Sequence, residues 1–157
     1  FPPAAYRDRL FKLFFVDVGL LGAMADLQAK TIVEGNAIFT EFKGALAEQY
    51  VQQQLRAVNT RELFYWSSRD SDCEIDFAFG CGAAFVPVEV KAEINLQAKS
   101  LMTFCRKQQV PLALRVSMSS FQISNPPAGK DGGTFTLVDL PLYGIEQAYN
   151  VCEAIQG

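Results

Sequence analysis

Residues 73–92 read CEIDFAFGCGAAFVPVEVKA. From Cys73 to Phe79 the residues alternate, with Cys73, Ile75, Phe77 and Phe79 on one side and Glu74, Asp76 and Ala78 on the other, the period of a half-buried strand. The GCG at 80–82 supplies a flexible turn, and AFVPVEVKA at 84–92 returns as the partner of a hairpin. In the returning strand Val86, Val88 and Val90 point one way while Glu89 and Lys91 point the other. A hairpin turning at 80–84 places Asp76 directly or diagonally opposite Glu89, close enough for the two carboxylates to share one ligand. Side-by-side carboxylates repel and do not both stay ionised without a cation between them. A hard divalent ion, which takes carboxylates, a carbonyl and waters, relieves that repulsion.

Working outward, residues 42–58 (FKGALAEQYVQQQLRAV) hold strong helix formers and no proline, which predicts a helix. On its wheel Glu48 falls between Leu55 and Ala45, so a third acid leans toward the packed side. ELFYWSS (62–68) is strand-like, and RDSD after it is a turn. Upstream, LFKLFFVDVGLL (10–21) carries a short strand signal through Phe15 and Val16, then Asp17 as cap of a helix starting near Gly19. Downstream the pattern predicts a helix from about 97 to 109, a strand at 112–118, a loop at 124–133 and a last strand near 134–139, broken by Pro141. Ile145, Ala148, Cys152 and Ile155 recur at helical spacing as a packing face.

The 157 residues are 50% hydrophobic and 20% charged, enough for one domain with a real core. The expected layout is a single domain over 1–157: an extension at 1–40, a core with the motif residues at 41–123, and a C-terminal strand and helix at 124–157. The four cysteines form no C-x-x-C pair and there is no histidine, which excludes a Cys/His zinc site, a Ser-His-Asp triad and a Cys-His dyad. Reduced core thiols are expected. No run approaches the roughly 18 apolar residues of a membrane span, so the chain reads as cytoplasmic with no membrane partner. A net charge of −3 argues against a broad polyanion-binding surface, though not against a basic patch beside an acidic, cation-loaded site. The first residue is Phe1 and not methionine, and the chain reads as a piece of something longer.

An acid on a helix, another in a strand and an E-x-K on its partner could also form a surface salt-bridge set. What lifts the constellation above that is its order. Glu48, Asp76, Glu89 and Lys91 resemble, in order and element type, the PD-(D/E)xK nuclease superfamily; the motif's proline is replaced by Ile75. More narrowly, KLFFVDVGLL, FKGALAEQYV, LFYWSSRDSDCEIDFAF, VPVEVKA, KSLMTF and DLPLYGI together look like the uncharacterised domain that follows an AAA+ ATPase module in many bacterial and archaeal proteins.

The resemblance implies an α/β, restriction-endonuclease-like core: helix, three-stranded antiparallel meander, helix, strand, with a mixed central sheet and terminal additions. It implies Mg²⁺ or Mn²⁺ held by Asp76, Glu89 and the Val90 carbonyl, with Glu48 nearby and Lys91 assisting attack on a phosphodiester, DNA as partner, and an N-terminal ATPase module absent from this chain. Glu74 is an outer ligand or, as the favoured reading, a strand-surface charge. Lys99, Arg106 and Lys107 are candidate phosphate contacts, although exposed helix lysines are usually just solvated. Tyr65 and Trp66 read as sheet-face aromatics before a base-stacking platform, and PPAGKDGG (126–133) as a plain loop. The rival to a nuclease is a non-catalytic binding or regulatory module coupling the ATPase to a partner. A small-molecule enzyme using the carboxylates as acid and base is a third reading without a positioned partner motif.

Overall fold

A computed structural model of the chain describes residues 12–27, 37–68, 73–92, 98–127 and 133–157, with side chains from residue 43 onward in the second stretch. The expected turn at 69–72, the start of the helix at Gln97 and residues 128–132 of the loop lie outside the described residues.

Among the described residues six strands make one mixed sheet. In chain order the elements are α1 (Val18–Met24), α2 (Ala37–Val58), β1 (Phe64–Ser67), β2 (Glu74–Cys81), β3 (Ala84–Val90), α3 (Lys99–Gln108), β4 (Leu112–Ser117), β5 (Gln122–Ser124), β6 (Thr136–Pro141), a 3₁₀ turn (Leu142–Gln147) and α4 (Ala148–Gln156). The sheet order is β1-β2-β3-β4-β6-β5. β1, β2 and β3 pair antiparallel, β3–β4 and β4–β6 parallel, and β5 antiparallel to β6. From α2 to β4 the succession is helix, three strands, helix, strand, as the sequence predicts.

Two apolar layers flank the sheet. Ala47, Val51 and Leu55 of α2, with Ile145, Ala148, Tyr149 and Cys152, close over Phe77, Phe79, Val86, Val88, Val90, Leu114, Val116 and Leu140. On the opposite face Leu101, Phe104 and Cys105 of α3 cover Ile75, Ala113 and Leu137. The C-terminal packing face at Ile145, Ala148 and Cys152 is as expected. All four thiols are free, and Cys81, Cys105 and Cys152 are buried; burial pushes Cys105 and Cys152 up to about 12.

Several sequence expectations need correction. Phe15 and Val16 form no strand: both main-chain groups of Phe15 bond to the side-chain amide of Gln49, which takes the part of a neighbouring strand. Asp17 does cap α1, accepting from Leu20 N at 3.1 Å. The hairpin turn is Gly82–Ala83, not GCG, because β2 runs on to Cys81 and only Gly82 takes a positive φ, 55°. The edge strand β5 falls where no strand is predicted. The alternation of β2 is also broken. Asp76 and Phe77 together oppose Tyr65, a bulge between Phe64↔Ala78 and Trp66↔Ile75. Ile75 therefore belongs to the layer under α3 and Phe77 to the layer under α2, and Ala78, expected on the polar side, is buried as well.

Candidate functional site

The bulge in β2 sets up the site. The β2–β3 ladder runs from Cys81↔Ala84 to Phe77↔Val88. At its end Asp76 turns its carboxylate toward β3, and Oδ2 accepts the Val90 amide N–H at 2.8 Å. Continuing the register by one step sets Glu89 beside it. Glu89 alternates with Val88 and Val90 and so takes the α3 face of the sheet, where its side chain is nearly buried. Its Oε1 meets Lys91 Nζ at 2.6 Å, the pairing that E-x-K spacing predicts; its Oε2 is buried with no hydrogen-bond partner.

From the other face α2 brings Glu48, half-buried and electrostatically coupled to Asp76. The structure thus gathers all four expected residues, Glu48, Asp76, Glu89 and Lys91, where β2 and β3 part. Glu74 joins them through a cation that sequence reasoning missed. Lys12 Nζ stands 2.6 Å from Glu74 Oε1, 3.4 Å from Glu48 Oε2 and 3.7 Å from Asp76 Oδ1, and 5.8 Å above the Tyr65 ring. Its signal was present: Lys12 opens the block KLFFVDVGLL, but it lies 36 residues from Glu48 with only a tertiary reason to meet it.

The electrostatics follow from crowding. Burial raises the Asp76 carboxyl above its ordinary range, against the Val90 N–H and Lys12, which favour the charged form. Glu48 is raised by burial and then by Asp76. Glu89 is raised by burial too, with the Lys91 contact opposing and Asp76 adding to the rise. For Lys12, burial works against the charge, but the hydrogen bond to Glu74 and the fields of Glu48 and Asp76 outweigh it and raise the ammonium.

The donor chemistry suits a hard cation. Glu89 Oε2 is a buried acceptor without a donor, and carboxylate oxygens are what Mg²⁺ or Mn²⁺ takes. As placed, however, no three His, Cys, Asp or Glu side chains among the described residues stand close enough to hold a metal ion; the Lys12 ammonium stands among three of the acids. The proposed phosphate contacts are elsewhere. Lys99, Arg106 and Lys107 are exposed on α3 and take no part in the cluster. Trp66 packs edge-on against Phe104, 5.0 Å between ring centres, and is a packing residue as expected.

A cleft of about 270 Å³ adjoins Asp76 and Lys12, walled by Phe14, Gln52, Arg56 and Tyr65. Among the described residues no helix is long and apolar enough to cross a membrane. No curated protein matches the chain. A family model described as "Domain of unknown function (DUF4143)" matches residues 43–131, a stretch that contains Glu48, Asp76, Glu89 and Lys91. That match spans more than half of the sequence, and the chain belongs to this DUF4143 family.

Proposed function

We propose that the chain is a PD-(D/E)xK nuclease-like domain whose acid cluster supports cation-dependent hydrolysis of DNA phosphodiesters. The observation that carries this reading is the convergence of Glu48, Asp76, Glu89 and Lys91 from three elements at the end of the β2–β3 ladder, with Glu89 Oε2 buried and unpartnered. The element order from α2 to β4 agrees with a restriction-endonuclease-like core.

In this reading Asp76, Glu89 and the Val90 carbonyl would hold Mg²⁺ or Mn²⁺, with Glu48 beside them. The ion would supply positive charge at the scissile phosphate and acidify a water. Asp76 is oriented for that task by the Val90 N–H, and its raised proton affinity is relieved once a cation adjoins it. Lys91, anchored on Glu89 and partly exposed, offers the other ammonium of the cluster among the described residues to a phosphate oxygen or to the attacking water.

A second reading, a binding or regulatory module working with an AAA+ ATPase, draws on two facts. Proteins of the DUF4143 family are in general associated with AAA+ ATPase proteins, and Lys12 already compensates three of the acids. Cleavage assays on single-stranded and duplex DNA with Mn²⁺, with the chain alone and with an ATPase-containing full-length protein, separate the two. The nuclease reading expects cleavage that is lost in Asp76→Asn and in Lys91→Ala. Cleavage that survives both substitutions points to a contaminant or another site, and no cleavage in either protein form hands the domain to the binding role.

A further inference from the structure

The cation nearest the acids is part of the chain itself. Lys12 Nζ sits among Glu48, Glu74 and Asp76, within 3.7 Å of an oxygen of each. We propose that Lys12 is a tethered ammonium that competes with the divalent cation for this cluster and so sets the cation concentration at which the site loads. The inference rests on the cation-binding reading above and adds to it a residue outside the E-D-E-x-K set.

Three features of the geometry carry it. First, the backbone that delivers Lys12 is pinned. Gln49 clasps both main-chain groups of Phe15, Gln53 accepts from Val18 N and donates to Asp17, and the Phe14 ring lies 5.5 Å from that of Phe77. The ammonium is therefore held within reach of the cluster at a high effective concentration whatever the solution holds. Second, the ammonium and an incoming ion would meet at Asp76, with Glu48 beside both. Asp76 Oδ2 already accepts the Val90 N–H, so Oδ1, the oxygen Lys12 faces, is the less committed of the two toward a ligand. An ammonium and a divalent ion a few ångströms apart repel strongly, and one displaces the other.

Third, the lysine has somewhere to go. Its side chain is partly exposed, and the cleft beside it offers the Tyr65 face and the Gln52 side chain. Among the described residues the acids are not over-compensated: four carboxylates, Glu48, Glu74, Asp76 and Glu89, face two ammonium groups, Lys12 and Lys91. Glu89 Oε2, buried and unpartnered, is an oxygen that Lys12 does not engage and that a divalent ion taking its place would answer. Because such coupling is reciprocal, a bound ion loosens Lys12 by the same factor as Lys12 weakens the ion.

The test is Mn²⁺ binding, measured directly by titration calorimetry and by the electron paramagnetic resonance of free Mn²⁺, with no nucleic acid present. Lys12→Met keeps the length and apolar stem and removes the charge; it should bind Mn²⁺ roughly 5- to 150-fold more tightly than wild type. Lys12→Arg keeps a charge on the tether and should stay near wild type, while Lys12→Met/Asp76→Asn should bind no Mn²⁺ at the cluster. Thermal melts of each variant in EDTA establish that it is folded. If wild type binds and Lys12→Met binds no tighter, or Lys12→Arg matches Lys12→Met, the competition is refuted and the cation reading stands. If neither wild type nor Lys12→Met binds Mn²⁺, the cation reading falls and the competition falls with it.

Discussion

The Val90 amide donates to Asp76 Oδ2 at 2.8 Å, one step beyond the last regular rung of the β2–β3 ladder. A carboxylate stands where a main-chain carbonyl would, which is why the strands can part there without leaving a buried N–H unpaired. The bulge at Asp76 and Phe77 makes the substitution possible, since it turns Asp76 out of the strict alternation. One residue thus ends the ladder and presents an acid to Glu48, Glu89 and Lys12.

Acid titration should expose the strain among these groups. Asp76, Glu48 and Glu89 hold their protons more tightly folded than at the ordinary values of 3.8, 4.5 and 4.5. The folded state therefore binds more protons than the unfolded one just above those values. Their joint contribution destabilises at neutral pH and is relieved as the pH falls through the raised folded values toward 4.5 and 3.8. In EDTA, urea melts across that window should show this component as stability gained on acidification. Asp76→Asn, whose carbonyl oxygen can still accept from Val90, should flatten it and leave the neutral-pH protein as stable or more so. An Asp76→Asn protein with the wild-type slope would show that Asp76 is not the centre of the repulsion.

Gln49 should matter more to stability than its neighbour Glu48. Its side chain is almost fully buried and answers both the N–H and the C=O of Phe15, at 2.8 and 2.7 Å. Gln49→Ala strands two main-chain groups and should cost about 1–3 kcal/mol in a urea melt at unchanged slope. Limited proteolysis should also cut residues 12–17 faster, because the segment has lost its clasp. A loss below about 0.5 kcal/mol, the level of an ordinary surface substitution, would mean that the Phe14 packing alone holds the segment.

A row of charge crosses the sheet behind the site. Glu89, Arg115 and Asp139 occupy matched positions on β3, β4 and β6, and Arg115 grips Asp139 with two hydrogen bonds, Nε to Oδ1 and Nη2 to Oδ2. Asp139 is almost wholly buried. Arg115→Met leaves that carboxylate without its partner and should cost about 3–5 kcal/mol, whereas Arg115→Met/Asp139→Leu should recover most of the loss. Equal losses in the single and double variants by chemical denaturation would show that packing, not the stranded charge, sets the cost.

Local chemistry in the chain determined much of this architecture. Periodicity marked α2, the β2–β3 hairpin, α3 and β4 in the right order, since a half-buried strand and an amphipathic helix write their burial into adjacent residues. Asp17 as a cap and the spacing of Glu89 and Lys91 are equally local, and both were legible. The block KLFFVDVGLL held Lys12, but nothing near it in sequence shows that its charge meets Glu48, Glu74 and Asp76.

Tertiary structure alone decided the rest. The strand predicted through Phe15 is a segment clasped by Gln49, because a side-chain amide 34 residues away satisfied its backbone. The alternation of β2 failed at Asp76 because two residues there face one residue of β1, a register fixed by pairing between strands. Short β5 carries too few residues for a period to show and exists only as the antiparallel neighbour of β6. The buried state of Glu89 and its unanswered Oε2 likewise come from what closes around it, which no single strand can specify.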